Sequence, residues 1–221
     1  MTPVEWKIPV AESQTTAIYE EAAAGNPVFI CAHGAGGNIA DRATLATARA
    51  LCAQGIGVVR FNFLYREKKS GRPDPMPKLM ETFAAVCGRV RSELNPDRLI
   101  IGGRSMGGRA ASMLAADGYD AGGLLLLAYP LHPPGKPEQL RDAHLRRIRM
   151  PVLCFSGTRD PFCTRDLMER ALESVTAPWE MHWVEGADHS FHVPRSSGRT
   201  DVEVLAGIAD VSRSWIARMS A

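Results

Sequence analysis

The segment Gly102-Gly103-Arg104-Ser105-Met106-Gly107-Gly108 constrains the fold more than any other part of the chain. A hydrophobic run, Arg98-Leu99-Ile100-Ile101, precedes it. A small-residue helical pattern follows, carrying Ala110, Ala111, Met113, Leu114 and Ala115. Strand, Gly-x-Ser-x-Gly, helix is the setting of a nucleophile elbow. So sharp a turn strains the serine backbone and leaves no room for a Cβ at Gly103 or Gly107. It presents a hydroxyl at its tip, beside a helix N-terminus whose free N–H groups face any developing negative charge.

The rest of the chain alternates in the same manner. Glu5–Val10 and Thr15–Glu20 read as an opening antiparallel hairpin or paired edge strands (residues 1–26), and Gly25-Asn26-Pro27 as a turn. Val28–Ala32, Ile56–Phe61, Gly122–Tyr129, Pro151–Ser156 and Trp179–Val184 read as strands, several of them continuously apolar and covered on both faces. Between them the spacing predicts helices over Ala43–Gln54 (capped by Asp41), Leu79–Leu94, Glu138–Ile148 and Thr164–Ser174, with a last helix over Asp201–Met219. Leu64–Pro77 and Pro130–Pro137 read as loops. The alternation predicts one α/β domain over 1–221, a doubly wound and mostly parallel sheet without a large cap. In such sheets ligands bind at the carboxyl ends of the strands.

Bulk properties narrow the class. The 221 residues are 45% hydrophobic and 23% charged, with a net charge of +2. That is an ordinary composition with an ample core and no strong attraction to nucleic acid or membrane. No apolar run approaches the ~18 residues of a transmembrane helix. The start, Met1–Trp6, lacks a signal-peptide pattern. Cys31, Cys52, Cys87, Cys154 and Cys163 are odd in number, widely spaced and without a CxxC pair, so they read as reduced thiols in a cytoplasmic protein with no metal site.

A serine hydroxyl needs a base to take its proton, and the base needs a third group to orient it. Ser105, Asp160 and His189 follow one another in the chain, each in a loop just after an expected strand. His189 serves as general base and then acid, and Asp160 holds its tautomer. Asp188 is a second candidate acid, disfavoured because it adjoins His189. His33 reads as a loop-shaping residue and His132 as a candidate lining residue. His144, His182 and His192 have no partner pattern, and Cys163 reads as packing. The basic run Arg66, Lys68, Lys69, Arg72 reads as a solvated loop, with anion binding as its alternative. Arg104 either meets substrate or braces structure. Gly34-Ala35-Gly36-Gly37-Asn38-Ile39 fails the dinucleotide fingerprint at its last position, and no Gly-Lys-Ser/Thr follows either glycine run, so no cofactor is expected.

Taken together, His33–Gly37, Gly102–Arg109, Tyr129–Pro134, Ser156–Phe162 and Asp188–Phe191 resemble the α/β-hydrolase superfamily. Within it they resemble the small dienelactone-hydrolase-like group, and the branch that includes the testis-expressed hydrolase-like proteins and a subunit of the NSL chromatin complex. The resemblance runs from about Pro27 to Trp215 and fits the chain order Ser, Asp, His. It implies an oxyanion hole built from the amides of Met106 and Ala35, with Gly36 as the fallback donor. The expected function is a serine hydrolase acting on a small-molecule ester, thioester or similar activated acyl bond. A non-catalytic binding or scaffolding protein on the same fold is the alternative.

Overall fold

A computed structural model describes residues 3–22 and 27–219. The strands are β1 (Val4–Val10), β2 (Ser13–Glu20), β3 (Val28–Ala32), β4 (Gly57–Phe61), β5 (Leu99–Arg104), β6 (Gly123–Leu127), β7 (Val152–Gly157) and β8 (Trp179–Val184). The helices are α1 (Arg42–Ala53), α2 (Leu64–Glu67), α3 (Met76–Leu94), α4 (Met106–Ala116), α5 (Arg165–Leu172) and α6 (Asp201–Arg218). The strands form one sheet in the order β1-β2-β4-β3-β5-β6-β7-β8. Only the β1–β2 and β2–β4 pairings are antiparallel; the rest are parallel. This is the doubly wound α/β architecture that the alternation implies.

Every residue of β3, β4, β5, β6 and β7 is buried. That is the pattern of strands covered on both faces, and it explains their unbroken apolar runs. The sheet separates two cores. On one face Phe83, Val86 and Val90 of α3, Ala110 and Ala111 of α4 and Met168 of α5 pack on Ile30, Ile101 and Leu126. On the other, Leu51 of α1 and Ile208 and Trp215 of α6 pack on Phe29, Ile100 and Leu125. Asp41 caps α1 by accepting from the Thr44 amide, and a reciprocal Thr200–Glu203 capping box starts α6.

Several expectations need correction. The expected antiparallel hairpin is present as β1 and β2, but only β1 is an edge strand; β2 lies inside the sheet between β1 and β4. Gly25 and Asn26 of the expected turn lie outside the described residues. Leu64–Pro77 is not all loop, because its ends are α2 and the first turn of α3. Pro77 sits in that first turn, where a missing N–H costs nothing. The helix expected over Glu138–Ile148 is reduced to one 3₁₀ turn, Leu145–Arg147. The Arg141 amide instead donates to the Leu131 carbonyl, and the Tyr129 hydroxyl donates to the Arg141 carbonyl. These long-range bonds hold the chain irregular. Between β6 and β7 the fold therefore inserts no cap, only this connection.

Candidate active site

Parallel register brings three strand ends together. Arg104, the last residue of β5, pairs with Leu127 of β6, and the Ser105 amide donates to the Leu127 carbonyl at 2.9 Å. Ser105 itself has φ 48° and ψ −116°, an unfavourable conformation for a residue with a side chain. The turn is possible because α4 starts against the end of β3. A Cβ on Gly107 would lie 2.6 Å from the carbonyl oxygens of both Ala32 and His33. Ser105 consequently stands above the carboxyl edge of the sheet, beside the first turn of α4.

The turn after β7 and the loop after β8 are bound to each other by backbone. The Thr158 amide donates to the Val184 carbonyl at 3.1 Å, and the Arg159 amide to the Ala187 carbonyl at 2.9 Å. Gly157 allows this approach, since a Cβ there would strike the Ala187 carbonyl. Asp160 and His189 are thus presented from adjacent strands towards Ser105.

His189 Nδ1 lies 2.8 Å from Asp160 Oδ2, and His189 Nε2 lies 2.9 Å from Ser105 Oγ. A carboxylate only accepts, so Nδ1 carries the proton and Nε2 accepts from the serine hydroxyl. Asp160 is buried, and its other oxygen accepts from the Phe162 amide at 2.8 Å. The Phe162 ring meets the imidazole edge-on at 4.6 Å between centroids. Asp188 is occupied elsewhere: its carboxylate accepts from the amides of Ser190 and His192, shaping the loop that carries His189.

The Gly34–Gly37 loop forms the opposite wall. The buried His33 donates from Nδ1 to the Gly34 carbonyl at 2.8 Å, while its Nε2 accepts from the Phe63 amide at 3.2 Å. Burial lowers its pKa, which suits a ring that must stay neutral to accept there. The Tyr65 hydroxyl donates to the Ala35 carbonyl and Asn62 Oδ1 accepts from the Ile39 amide, each at a normal distance. The amides of Ala35 and Gly36 donate to no backbone carbonyl among the described residues. The Met106 amide belongs to the first turn of α4, whose N–H groups have no intrahelical acceptor.

Between these walls lies a cleft of about 570 Å³. It is lined by Ser105, His189, Ala35, Gly36, Met106, Phe162, Pro130 and Pro134, and by three arginines, Arg104, Arg109 and Arg141. The last two were not singled out in the sequence. Arg104 is 9% exposed, and its guanidinium lies 5.4 Å from the centre of the Phe191 ring. Burial lowers its pKa, opposed by the nearby charges of Asp41, Asp188 and Asp160. It both lines the cleft and braces the histidine loop.

The other candidates fall outside the cleft. His132 is buried, bonded to the Pro133 carbonyl, and does not line it. None of Arg66, Lys68, Lys69 and Arg72 lines it either; Arg66 bonds the Ser70 carbonyl. Burial pushes the Cys163 thiol up to about 12, which makes it a poor nucleophile. His144 is buried and bonded to Ser112, and His192 pairs with Asp201 on the surface. Among the described residues no cluster of three or more His, Cys, Asp or Glu side chains could hold a metal ion, and no helix is long and apolar enough to cross a membrane.

Fold and strand order define an α/β protein of the hydrolase class. Residues 25–217 match the family model described as an alpha/beta hydrolase domain, and the chain belongs to that family. Solved structures share the fold over nearly their whole lengths. An alpha-beta serine hydrolase homologue from Coxiella burnetii is 22% identical with a TM-score of 0.74, covering 100% of this chain and 99% of that one. A dienelactone hydrolase from Anabaena variabilis is 18% identical with a TM-score of 0.76, covering 99% of each. A serine hydrolase without lid from Xanthomonas campestris is 20% identical with a TM-score of 0.75, covering 97% of this chain and 95% of that one.

Proposed function

We propose that the protein is a serine hydrolase that cleaves an ester, thioester or similarly activated acyl bond of a small molecule through an acyl-enzyme. The observation that carries this reading is the unbroken chain of hydrogen bonds from Asp160 through His189 to Ser105 at the floor of an open cleft. His189 Nε2 removes the hydroxyl proton as Oγ attacks the acyl carbon. Asp160 stabilises the imidazolium so formed and keeps Nε2 directed at the serine. Negative charge then gathers on the carbonyl oxygen, and the amides of Met106 and Ala35 are assigned to hold it. Loss of one such donor ordinarily costs about 10²–10³ in rate. His189 returns its proton to the leaving group, and the acyl group stays on Oγ. Water, deprotonated by the same imidazole, releases the acid. No step calls for a cofactor, nucleic acid or membrane.

The cleft is open because no cap follows β6, which favours small or accessible acyl groups. The esterase and serine-hydrolase character of the structural neighbours agrees with this reading. Resemblance to the testis-expressed and NSL-subunit branch names no substrate. The test is turnover of p-nitrophenyl acetate and acetyl thioesters. Wild-type protein is expected to hydrolyse at least one with a burst of the leaving group, and Ser105→Ala to lose both burst and turnover. Equal turnover by Ser105→Ala contradicts the proposal.

A further inference from the structure

We propose that the substrate of this site carries phosphate in its leaving group, and that Arg109 and Arg141 bind it where two depressions meet. The proposal rests on Ser105 acting as the nucleophile. The Ser105 cleft shares Arg109 and Arg141 with a second, shallower groove of about 490 Å³, which continues past His144 to Arg146 and Arg147. Arg109 comes from the first turns of α4, four residues after Ser105, and the other three arginines come from the β6–β7 connection. A leaving group extending from an acyl carbon at Ser105 would run along this basic path.

Direct ion pairs on the path are few, although the carboxylates of Asp117 and Asp142 lie close enough to act on His144 in the second groove. Among the described residues only Arg147 of the four guanidiniums has a carboxylate partner, Asp117 at 3.0 Å. Among the described residues the side chains of Arg109, Arg141 and Arg146 make no ion pair and no hydrogen bond, and Arg109 Nε is buried without a partner. Among the described residues Asp41 is the sole acidic side chain lining the Ser105 cleft, and it is committed to capping α1. Arg141 is disfavoured as a cation by burial and then by Arg109 itself. His144 adds no charge near neutrality, because burial and then Arg109 hold its pKa down to about 4. Two neighbouring guanidiniums that repel one another in a partly dry site call for an anion between them. One carboxylate would occupy a single fork. Three unpaired arginines spread over two depressions suit a group with several negative charges. The phosphate is a handle: it leaves intact on the departing thiol or alcohol.

Two sources share this chemistry, a nucleotide-linked thiol and a glycerophosphate, and calorimetric titration separates them. The probes are coenzyme A against pantetheine, and glycerol 3-phosphate against glycerol, at low salt. At least one phosphorylated probe is expected to bind about tenfold or more tightly than its neutral counterpart. The preferred pair identifies the source. In Arg109→Gln/Arg141→Gln that preference should collapse, and in Arg213→Gln, which removes one positive charge from α6 outside both depressions, it should persist. Arg146→Gln, at an exposed position, gives a smaller loss should the double variant misfold. Equal binding of both pairs, or a preference that survives removal of the arginines, overturns the proposal. Binding does not need the Ser105 hydroxyl, so this result is independent of whether Ser105 reacts.

Discussion

The Tyr65 hydroxyl donates to the carbonyl of Ala35 at 2.7 Å, tying the short helix α2 to the glycine loop that faces Ser105. Tyr65 is buried, with its ring edge-on to His33. Its hydroxyl therefore fixes the peptide next to the amide assigned to the oxyanion. Tyr65→Phe keeps the packing and removes one hydrogen bond, worth about 1 kcal/mol. The expected result is a roughly fivefold fall in kcat for an activated ester with KM nearly unchanged, and a melting temperature lower by about 2–4 °C. A change in KM alone would place Tyr65 in substrate binding.

Asp160 and Asp188 are both near His189 but do different work. Asp160→Asn should leave the fold intact and lower kcat by about 10³–10⁴, because an amide can present a donor to Nδ1 and favour the wrong tautomer. Asp188→Ala removes the Oδ1 that accepts from two loop amides, and should lower stability by about 1 kcal/mol or more with a much smaller effect on kcat. Steady-state kinetics and urea unfolding of the two variants, measured together, check the division.

The glycines divide in the same way. Gly107→Ala drives a Cβ to 2.6 Å from two carbonyl oxygens of the β3 end, and should cost about 3 kcal/mol or more, through strain at the elbow. Gly88 and Gly207 lie inside α3 and α6, with nothing within 4 Å of an added Cβ. Alanine at either should raise stability by about 0.5–1 kcal/mol, the helix-propensity difference. Chemical denaturation gives all three values.

Stability should fall on mild acidification. The pKa of His144 drops from its ordinary value of 6.5 to about 4 in the folded protein, chiefly through burial. Between those two values the unfolded chain takes up a proton that the folded one refuses. Stability from this group is full above pH 6.5, declines as pH falls, and levels off below pH 4. The total loss is on the order of 3 kcal/mol. His33, lowered in the same direction, adds to it. Urea midpoints between pH 7.5 and 4.5 should therefore fall more steeply for wild type than for His144→Gln.

The parts of the fold legible in the sequence are those that local pattern determines. Trp179–Val184 has the bounds its run of residues implies, and Asp41 announces the start of α1. The Gly-x-Ser-x-Gly turn, with Asp160 and His189 after later strands, was readable because each occupies a fixed place in the topology. What escaped depends on contacts far apart in the chain. The charge spacing of Glu138–Ile148 imitates a helix, yet Tyr129 and Leu131 capture its backbone. Arg109 and Arg141 are ordinary surface-type residues in sequence, and only the meeting of α4 with the β6–β7 connection places them in one cleft. The link from Tyr65 to Ala35 spans thirty positions and leaves no local signal.

The most direct test of the Ser105 assignment is covalent. Treated with a fluorophosphonate under native conditions, the protein should gain a single adduct that peptide mass spectrometry maps to Ser105. The adduct should be absent from Ser105→Ala and form far more slowly in His189→Gln. An unlabelled wild type, or an adduct of equal yield in Ser105→Ala, would contradict the account.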